Sequence, residues 1–255
     1  MSDVLTEILA SKQARLSLGQ YAVAGTAARP SDGSAFTASL REPGTRIIAE
    51  FKAKSPSAGA ILSSPETKVE SFALFYRRGH AAAISVVTEQ DHFGGDPAWL
   101  PRIKAMSGLP VLMKDFLFDE RQLDFAVSLG ADAVLLIVRA LGEGALARLS
   151  AGARERGLAT VVEAHGALEI RQAAAVRPDV VGVNARDLAT FRTDVGSIEA
   201  MAREIPPGPV RLAESGIKTR EDVERLGAAG FNAFLVGETL LRSDDPEEEL
   251  RGLKG

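Results

Sequence analysis

Residues 128–138 read SLGADAVLLIV, and residues 228–237, AAGFNAFLVG, follow the same order: a helix end, a glycine, an aspartate or asparagine, and an apolar run. Glycine is common just after a helix because it adopts left-handed φ values without a Cβ clash. The run that follows lacks polar alternation, which is typical of a strand buried on both faces, as in a parallel sheet. The repeated unit therefore predicts helices that lead into buried parallel strands.

Eight such apolar runs recur along the chain, and stretches with helical periodicity separate them. The predicted strands cover residues 46–52, 82–88, 110–116, 132–138, 159–164, 180–184, 210–214 and 233–236. Eight strand–helix units predict an α/β fold, a (β/α)8 TIM barrel. A doubly wound sheet is the alternative, but no predicted strand is followed by the G-x-G-x-x-G pattern that would favour it.

Helix start and stop residues support this reading. Thr219, with Asp222 three residues later, has the pattern of a capping box, and Gly230 ends the same segment. Asp119 opens another segment, which closes at Gly130. We therefore expect helices between these residues.

The residues before the first predicted strand form a separate element. Leu5, Ile8, Leu9 and Leu16 have the spacing of an amphipathic helix. We predict one domain over residues 1–255, with a helical extension over 1–45 and the barrel over 46–255. Two roles for the extension stay open: a plug at the bottom of the barrel, or a lid over the substrate.

Composition excludes several classes of function. The 255 residues carry a net charge of −4 without a basic block, which argues against a nucleic-acid partner. There is no cysteine, and the three histidines are scattered, so we expect neither a disulfide nor a metal site. No apolar run approaches the roughly 18 residues of a membrane helix, and the N-terminus lacks a signal-peptide core. We therefore predict a cytoplasmic protein without a membrane partner.

Charged residues follow the predicted strands at their C-terminal ends, where TIM barrels carry their active sites. In AEFKAKSPSAG, residues 49–59, the charged Glu50, Lys52 and Lys54 alternate and so share one face of a strand. The other strand ends supply Lys114, Glu163, Asn184, Arg186, Glu214, Ser215, Gly216 and Gly237. A single charge at a strand end is usually a solvated loop residue. Two lysines and three glutamates on one ring instead predict acid–base chemistry, because proximity and burial shift the pKa of such groups.

The last two strand ends have the composition of a phosphate site. ESG at residues 214–216 and VGE at residues 236–238 place glycines where backbone N–H groups can approach an anion. Plain turn chemistry is the simpler alternative, since glycine ends many strands and helices.

In combination, these motifs resemble the indole-3-glycerol phosphate synthase family of tryptophan biosynthesis. The segments that carry the resemblance are AEFKAKSPSAG, ISVVTEQDHFGG, KDF, VEAH, VGVNARDL and AESGIKTREDV, within residues 46–246. The resemblance implies a carboxy-lyase without a cofactor. Its substrate would be 1-(2-carboxyphenylamino)-1-deoxyribulose 5-phosphate, which undergoes ring closure, decarboxylation and dehydration. It also implies a monomer or weak homo-oligomer.

The resemblance assigns roles to the charged residues. Lys114 would be the general acid for ring closure, and Glu163 would act in the dehydration with Lys52 as the acid. Glu50 would hold the lysines in place. Asn184 would hydrogen-bond a hydroxyl or the anilino group of the substrate.

The resemblance also implies substrate-binding residues. Ser55 and Arg186 would hold the anthranilate carboxylate or its surroundings, and Phe93 and Phe116 would line an aromatic slot, although core packing is as good an explanation for either ring. The remaining substrate- and phosphate-binding residues would be Glu214, Ser215, Gly216, Gly237 and Glu238, with Lys52 or Lys54 adding charge. The family usually has a second asparagine at position 185, where this chain has alanine.

Two other functions stay open. Another phosphate-binding barrel of the same pathway, such as phosphoribosyl anthranilate isomerase or the tryptophan synthase α-subunit, would share the glycine loops. It would not need the lysines and glutamates at positions 50, 52, 114 and 163. A catalytically inactive barrel that serves as a scaffold would be expected to lack a member of that set, and every position is filled.

Overall fold

The fold is a closed barrel of parallel strands. A computed structural model describes residues 4–23, 32–56, 59–186 and 195–255. Within these residues the barrel strands are β1 (Arg46–Phe51), β2 (Ala83–Val87), β3 (Val111–Lys114), β4 (Ala133–Ile137), β5 (Ala159–Ala164), β6 (Val180–Asn184), β7 (Val210–Glu214) and β8 (Ala233–Val236). Each strand pairs with the next along the chain, and β8 pairs with β1. The predicted (β/α)8 barrel is therefore confirmed.

Helices surround the barrel and precede it. They are α1 (Val4–Ser17), α2 (Gly33–Arg41), α3 (Val69–Arg78), α4 (Trp99–Ser107), α5 (Glu120–Ser128), α6 (Val138–Glu155), α7 (Ala167–Ala175), α8 (Val195–Glu199), α9 (Arg220–Ala229), α10 (Glu238–Arg242) and α11 (Pro246–Lys254). The predicted capping box is present at the start of α9, where Thr219 and Asp222 cap each other's backbone. None of the described helices is long and apolar enough to cross a membrane.

The inward face of each strand changes character along its length. Ile48, Leu112 and Val161 belong to one buried apolar cluster inside the barrel. Two residues further along the same strands come Glu50, Lys114 and Glu163. Because side chains alternate in a strand, these charged residues share the inward direction of the apolar ones. An apolar layer therefore supports a charged layer at the C-terminal end of the barrel.

Helix α2 closes the N-terminal end of the barrel. Phe36 and Leu40 are buried with the first residues of several strands, such as Ala159 and Val210. The N–H of Gly33 donates to the carbonyl of Gly157 at 2.9 Å. A Cβ at Gly33 would lie 2.3 Å from the backbone nitrogen of Ala159, so only glycine allows this approach.

Helix α1 lies at the opposite end, beside the charged layer. Leu5 and Ile8 pack in the same cluster as Phe93 and Phe116. The Lys12 ammonium lies 2.5 Å from a carboxylate oxygen of Asp115, the residue that follows β3, and both side chains are buried. Helix α2 therefore plugs the barrel, whereas α1 packs beside the charged layer, and the role of a lid over the substrate stays a prediction for α1.

Candidate active site

A cavity of about 920 Å³ opens at the C-terminal end of the barrel. Of the predicted site residues, those that line it are Glu50, Lys52, Phe93, Lys114, Phe116, Glu163, Asn184, Arg186, Ser215, Gly216, Gly237 and Glu238. They come from several strands that are far apart in sequence, and the closed barrel brings them together. We use the term lysine–glutamate ring for Glu50, Lys52, Lys114, Glu163 and Glu214.

Lys114 lies among three carboxylates of the ring. Its Nζ donates to Glu214 Oε2 at 2.6 Å, and lies 3.8 Å from Glu50 Oε2 and 3.9 Å from Glu163 Oε2. Burial alone would lower the pKa of Lys114, but the three carboxylates outweigh burial and raise it above its usual value. Lys114 is therefore a stable ammonium that faces the cavity.

Lys52 and Glu50 form a second ion pair. Lys52 Nζ donates to Glu50 Oε1 at 2.6 Å. Burial would raise the pKa of Glu50, but Lys52 and Lys114 together lower it below its usual value. A Cβ at Gly237 would lie 2.7 Å from Glu50 Oε1 and 3.2 Å from Lys52 Nζ, so glycine at this position leaves room for the pair. Glu50 is an anion that fixes both lysines.

The pKa of Glu214 is shifted in the opposite direction to that of Glu50. Its side chain is fully buried behind Lys114, and Oε1 has no hydrogen-bond partner among the described residues. Burial and the neighbouring Glu163 and Glu50 raise its pKa to about 7, although Lys114 opposes the shift. The three carboxylates carry more negative charge than the Lys114 ammonium neutralises. Glu214 is the most buried of the three, so its ionised form is destabilised the most. Glu214 is not among the residues that line the cavity, so its predicted contact with substrate is replaced by a contact with Lys114.

Glu163 faces the cavity from β5. Its Oε2 lies 3.9 Å from Lys114 Nζ, and its Oε1 lies 3.3 Å from Nε2 of His165. On the next strand, Asn184 Oδ1 accepts the backbone N–H of Arg186 at 2.9 Å, which fixes the asparagine side chain at the end of β6. These four residues line or border the same side of the cavity.

The prediction that Lys54 shares the face of Glu50 and Lys52 is wrong. Strand β1 ends at Phe51, and Lys54–Ser55 pairs antiparallel with Gly59–Ala60, so the alternation of β1 does not reach Lys54. Lys54 Nζ donates to the carbonyl of Asp91 at 3.0 Å, away from the ring.

Ser55 is buried in the same short hairpin and does not line the cavity either. The predicted loop over the pocket includes Ser57 and Ala58, which lie outside the described residues.

The loops after β7 and β8 have the backbone geometry of an anion site. Ser215 and Gly216 both have positive φ values, 69° and 78°, which for a serine is an uncommon conformation. Gly237 precedes α10, which begins at Glu238. Lys218 and Arg242 also line this part of the cavity, and their cationic side chains were not anticipated from the sequence.

Glu89 is another site residue that the sequence reasoning missed. Its buried carboxylate accepts the backbone N–H groups of Asp91, His92 and Phe93 at 3.1, 2.7 and 2.8 Å. It therefore shapes the loop that presents Phe93 to the cavity. The centroids of the Phe93 and Phe116 rings lie 6.0 Å apart. An acidic residue just beyond the second apolar run, in VVTEQ, was the available signal.

The site has no candidate metal cluster. Among the described residues, no group of three or more histidine, aspartate or glutamate side chains has the arrangement of a metal site. The charge of the cavity comes from its lysines, arginines, glutamates and aspartates.

Comparisons with known proteins identify close relatives. The family model described as indole-3-glycerol phosphate synthase matches residues 3–253. Indole-3-glycerol phosphate synthase 2 of Streptomyces coelicolor is 43% identical over 220 residues, which cover 86% of this chain and 84% of that protein. Indole-3-glycerol phosphate synthase of Aromatoleum aromaticum is 39% identical over 264 residues and covers 100% of both.

Solved structures with the same fold are more distant in sequence. The 3-hexulose-6-phosphate synthase of Salmonella typhimurium has a TM-score of 0.65 at 16% identity, over 82% of this chain and 97% of that one. A thiamine phosphate pyrophosphorylase of Pyrococcus furiosus has a TM-score of 0.59 at 13% identity, over 82% and 93%. At these identities the similarity shows the fold alone.

Proposed function

The chain belongs to the indole-3-glycerol phosphate synthase family, and we propose that the lysine–glutamate ring carries out the reaction of that family. The protein is a carboxy-lyase of tryptophan biosynthesis. It converts 1-(2-carboxyphenylamino)-1-deoxyribulose 5-phosphate into indole-3-glycerol phosphate, CO2 and water. Because a carboxylate leaves as neutral CO2, each turnover takes up one proton.

Lys114 is the general acid for ring closure. A carbon of the substrate's aromatic ring attacks the ribulose carbonyl, and the oxygen of that carbonyl must receive a proton as the bond forms. The observation that carries this assignment is the position of the Lys114 ammonium, which faces the cavity and lies within 3.9 Å of three carboxylates. These carboxylates hold the ammonium in place and keep it charged before the reaction.

Glu163 and Lys52 act in the dehydration. One C–H proton and one hydroxide must leave the closed ring to form the indole. Glu163 accepts the C–H proton, and Lys52 protonates the departing hydroxide. Their positions on β5 and just beyond β1 place them on different sides of the cavity, with Glu50 holding Lys52. Asn184 orients a hydroxyl or the anilino nitrogen of the substrate.

The rest of the cavity binds the two ends of the substrate. Phe93 and Phe116 contact the aromatic ring, and Arg186 attracts its carboxylate. The phosphate binds the loops after β7 and β8, where Ser215, Gly216, Gly237 and Glu238 offer backbone N–H groups. The predicted role of Ser55 in carboxylate binding stays a prediction.

Four further expectations stay predictions. They are a cytoplasmic location, a monomer or weak homo-oligomer, the absence of a nucleic-acid partner, and the division into an extension over 1–45 and a barrel over 46–255.

Turnover of the defined substrate tests the proposed function directly. Purified protein should convert the carboxyphenylamino-deoxyribulose phosphate into a product with indole fluorescence, with one CO2 released per product. Phosphoribosyl anthranilate, the substrate of the isomerase alternative, should be left unchanged. Failure to form the indole product, or turnover of phosphoribosyl anthranilate alone, would refute the proposal.

A further inference from the structure

His165 is a buried titratable residue that the proposed reaction does not use. Its Nε2 lies 3.3 Å from Glu163 Oε1, within ion-pair distance but without hydrogen-bond geometry, and has no hydrogen-bond partner among the described residues. Its Nδ1 lies 3.4 Å from Glu169 Oε2, and its backbone N–H donates to the same oxygen at 2.9 Å. The imidazole thus lies between the proposed catalytic Glu163 and a second carboxylate.

A neutral imidazole cannot satisfy both carboxylates at once. It carries one N–H and one lone pair, so whichever nitrogen holds the hydrogen, the other directs a lone pair at a carboxylate oxygen. Both contacts become favourable when one additional proton is present, either on the ring or on Glu163. The arrangement of Glu163, His165 and Glu169 is therefore suited to hold a proton beside the lysine–glutamate ring.

Exposure increases along this chain of residues. The side chain of Glu163 is 2% exposed, that of His165 4%, and that of Glu169 19%. Glu169 Oε1 lies 3.1 Å from the guanidinium of Arg139, which is 27% exposed. The charged groups that face this path are thus Lys114 and Glu163 at its inner end, and Glu169 and Arg139 at its outer end. Such a gradient connects a buried carboxylate to water through side chains that do not line the cavity.

The proton balance of the reaction gives this path a task. Lys114 and Lys52 each release one proton per turnover, and Glu163 gains one from carbon. One more proton must therefore come from water in each turnover.

Resting on the proposed function, we propose that His165 and Glu169 form a proton-supply path from solvent to the lysine–glutamate ring. Glu163 returns its proton to one lysine and takes a second from Nε2–H of His165 for the other. As Nε2–H leaves, Nδ1 takes up a proton from water by way of Glu169, so the ring stays neutral, and exchange with water in the emptied cavity later restores the Nε2–H tautomer. No electron transfer and no further reactant is needed, and His165 is a positioning and relay residue that does not touch substrate.

Two glutamine variants and one control test the path by steady-state kinetics. His165→Gln keeps a polar group near Glu163 but cannot transfer a proton, and Glu169→Gln removes the outer carboxylate. Gln172→Ala, on the same helix as Glu169, changes an exposed side chain that contacts Glu143. We expect both glutamine variants to lower kcat by about tenfold, within the range of acid–base effects, with KM changed less than twofold.

The pH profile separates a relay from a structural role. Because protons are scarcer at high pH, the loss of kcat should grow as the pH rises, and the alkaline limb of the profile should move to lower pH. The solvent isotope effect on kcat should increase in both variants and stay at the wild-type value in Gln172→Ala. An equal loss at every pH, or no loss at all, would overturn the proposal. Inactive wild-type enzyme would instead indicate failure of the proposed function.

A second measurement does not depend on turnover. The chain has three histidines, so ring ¹⁵N signals can be assigned by loss of one signal in His165→Gln. The His165 signals should differ from their wild-type positions in Glu163→Gln and in Glu169→Gln, while those of His80 and His92 stay unchanged. Insensitivity of His165 to both glutamine substitutions would overturn the proposed path.

Discussion

At the scale of single residues, the site depends on an imbalance of charge. Lys114 is surrounded by three carboxylates, which raise the pKa of the ammonium, whereas burial and then the neighbouring Glu163 and Glu50 raise the pKa of Glu214. The same cluster lowers the pKa of Glu50, which has two lysine neighbours. Three glutamates of one cavity therefore differ in character because their distances from the two ammonium groups and their burial differ.

Glu214 gives this imbalance a measurable effect on stability. Its pKa in the folded protein is raised to about 7 from a usual value of 4.5. The folded state therefore binds the proton more tightly, so the stabilising contribution is complete below the usual value and is lost as the pH rises through about 7. We expect wild type to lose stability relative to Glu214→Gln as the pH rises across that window, as measured by denaturant unfolding. A difference that is independent of pH would contradict the assigned environment of Glu214.

Gly216 tests the phosphate loop with a matched control. Gly216 and Gly108 both have positive φ, 78° and 67°, so alanine should cost each about 1–2 kcal/mol in unfolding free energy. Gly108 ends α4, and a Cβ there would meet no other atom within 4 Å. We expect Gly216→Ala to raise KM at least tenfold, a loss of about 1.4 kcal/mol in binding, and Gly108→Ala to leave KM unchanged. Inorganic phosphate should compete with substrate in the wild type. Equal KM values in the two variants would argue against phosphate binding at this loop.

At the scale of elements, the two N-terminal helices pack at opposite ends of the barrel and have different roles. The ion pair of Lys12 with Asp115 fixes α1 beside Phe116, whereas Phe36 of α2 fills the opposite end of the barrel. Deletion of residues 1–40 would therefore affect more than α1, because removing Phe36 and Leu40 would open the core.

Single substitutions in the two helices should separate these roles. Lys12→Met removes the ion pair and loosens α1 over the aromatic side of the cavity, so KM should rise several-fold. Breaking a buried pair also costs stability, by about 3–5 kcal/mol. Phe36→Ala leaves a cavity and should cost a similar 3–5 kcal/mol, but KM of the folded fraction should not change. KM should be measured at a temperature where both variants remain folded. An equal change of KM in both would contradict the assignment of α1 to the substrate site and of α2 to the barrel core.

The sequence predicts which residues lie at a strand end where the alternation of side chains continues to that end. It predicts them poorly where pairing with a neighbouring strand decides where the strand stops. Glu50 was recognised because β1 alternates up to Phe51, and Lys52 follows one residue beyond the strand. Lys54 was misplaced because the end of a short strand is set by pairing with its neighbours, which local sequence does not encode. His165 and Glu89 were missed for a different reason: their partners lie two to four residues away, across loops whose conformation the strand and helix patterns do not give.

At the scale of the whole molecule, the barrel separates stability from chemistry along its axis. Apolar inward residues such as Ile48 and Leu112 form the lower layers, and the lysine–glutamate ring lies two residues further along the same strands. The surrounding helices bury the outer apolar surface of the barrel, and α2 closes its N-terminal end. Among the described residues, the charged layer therefore packs on apolar side chains and opens to solvent at the C-terminal end. This arrangement keeps opposite charges at close distances in a partly water-excluded cavity, where electrostatic interactions are strong.

The central claim is that the Lys114 ammonium protonates the carbonyl oxygen during ring closure. The most direct measurement is a quenched single-turnover experiment that follows ring closure separately from dehydration in wild type, Lys114→Met and Lys52→Met. The account predicts that Lys114→Met slows ring closure by about 10²–10⁴-fold, whereas Lys52→Met closes the ring at a nearly normal rate and accumulates the intermediate before dehydration. Ring closure in Lys114→Met within tenfold of the wild-type rate would contradict the account.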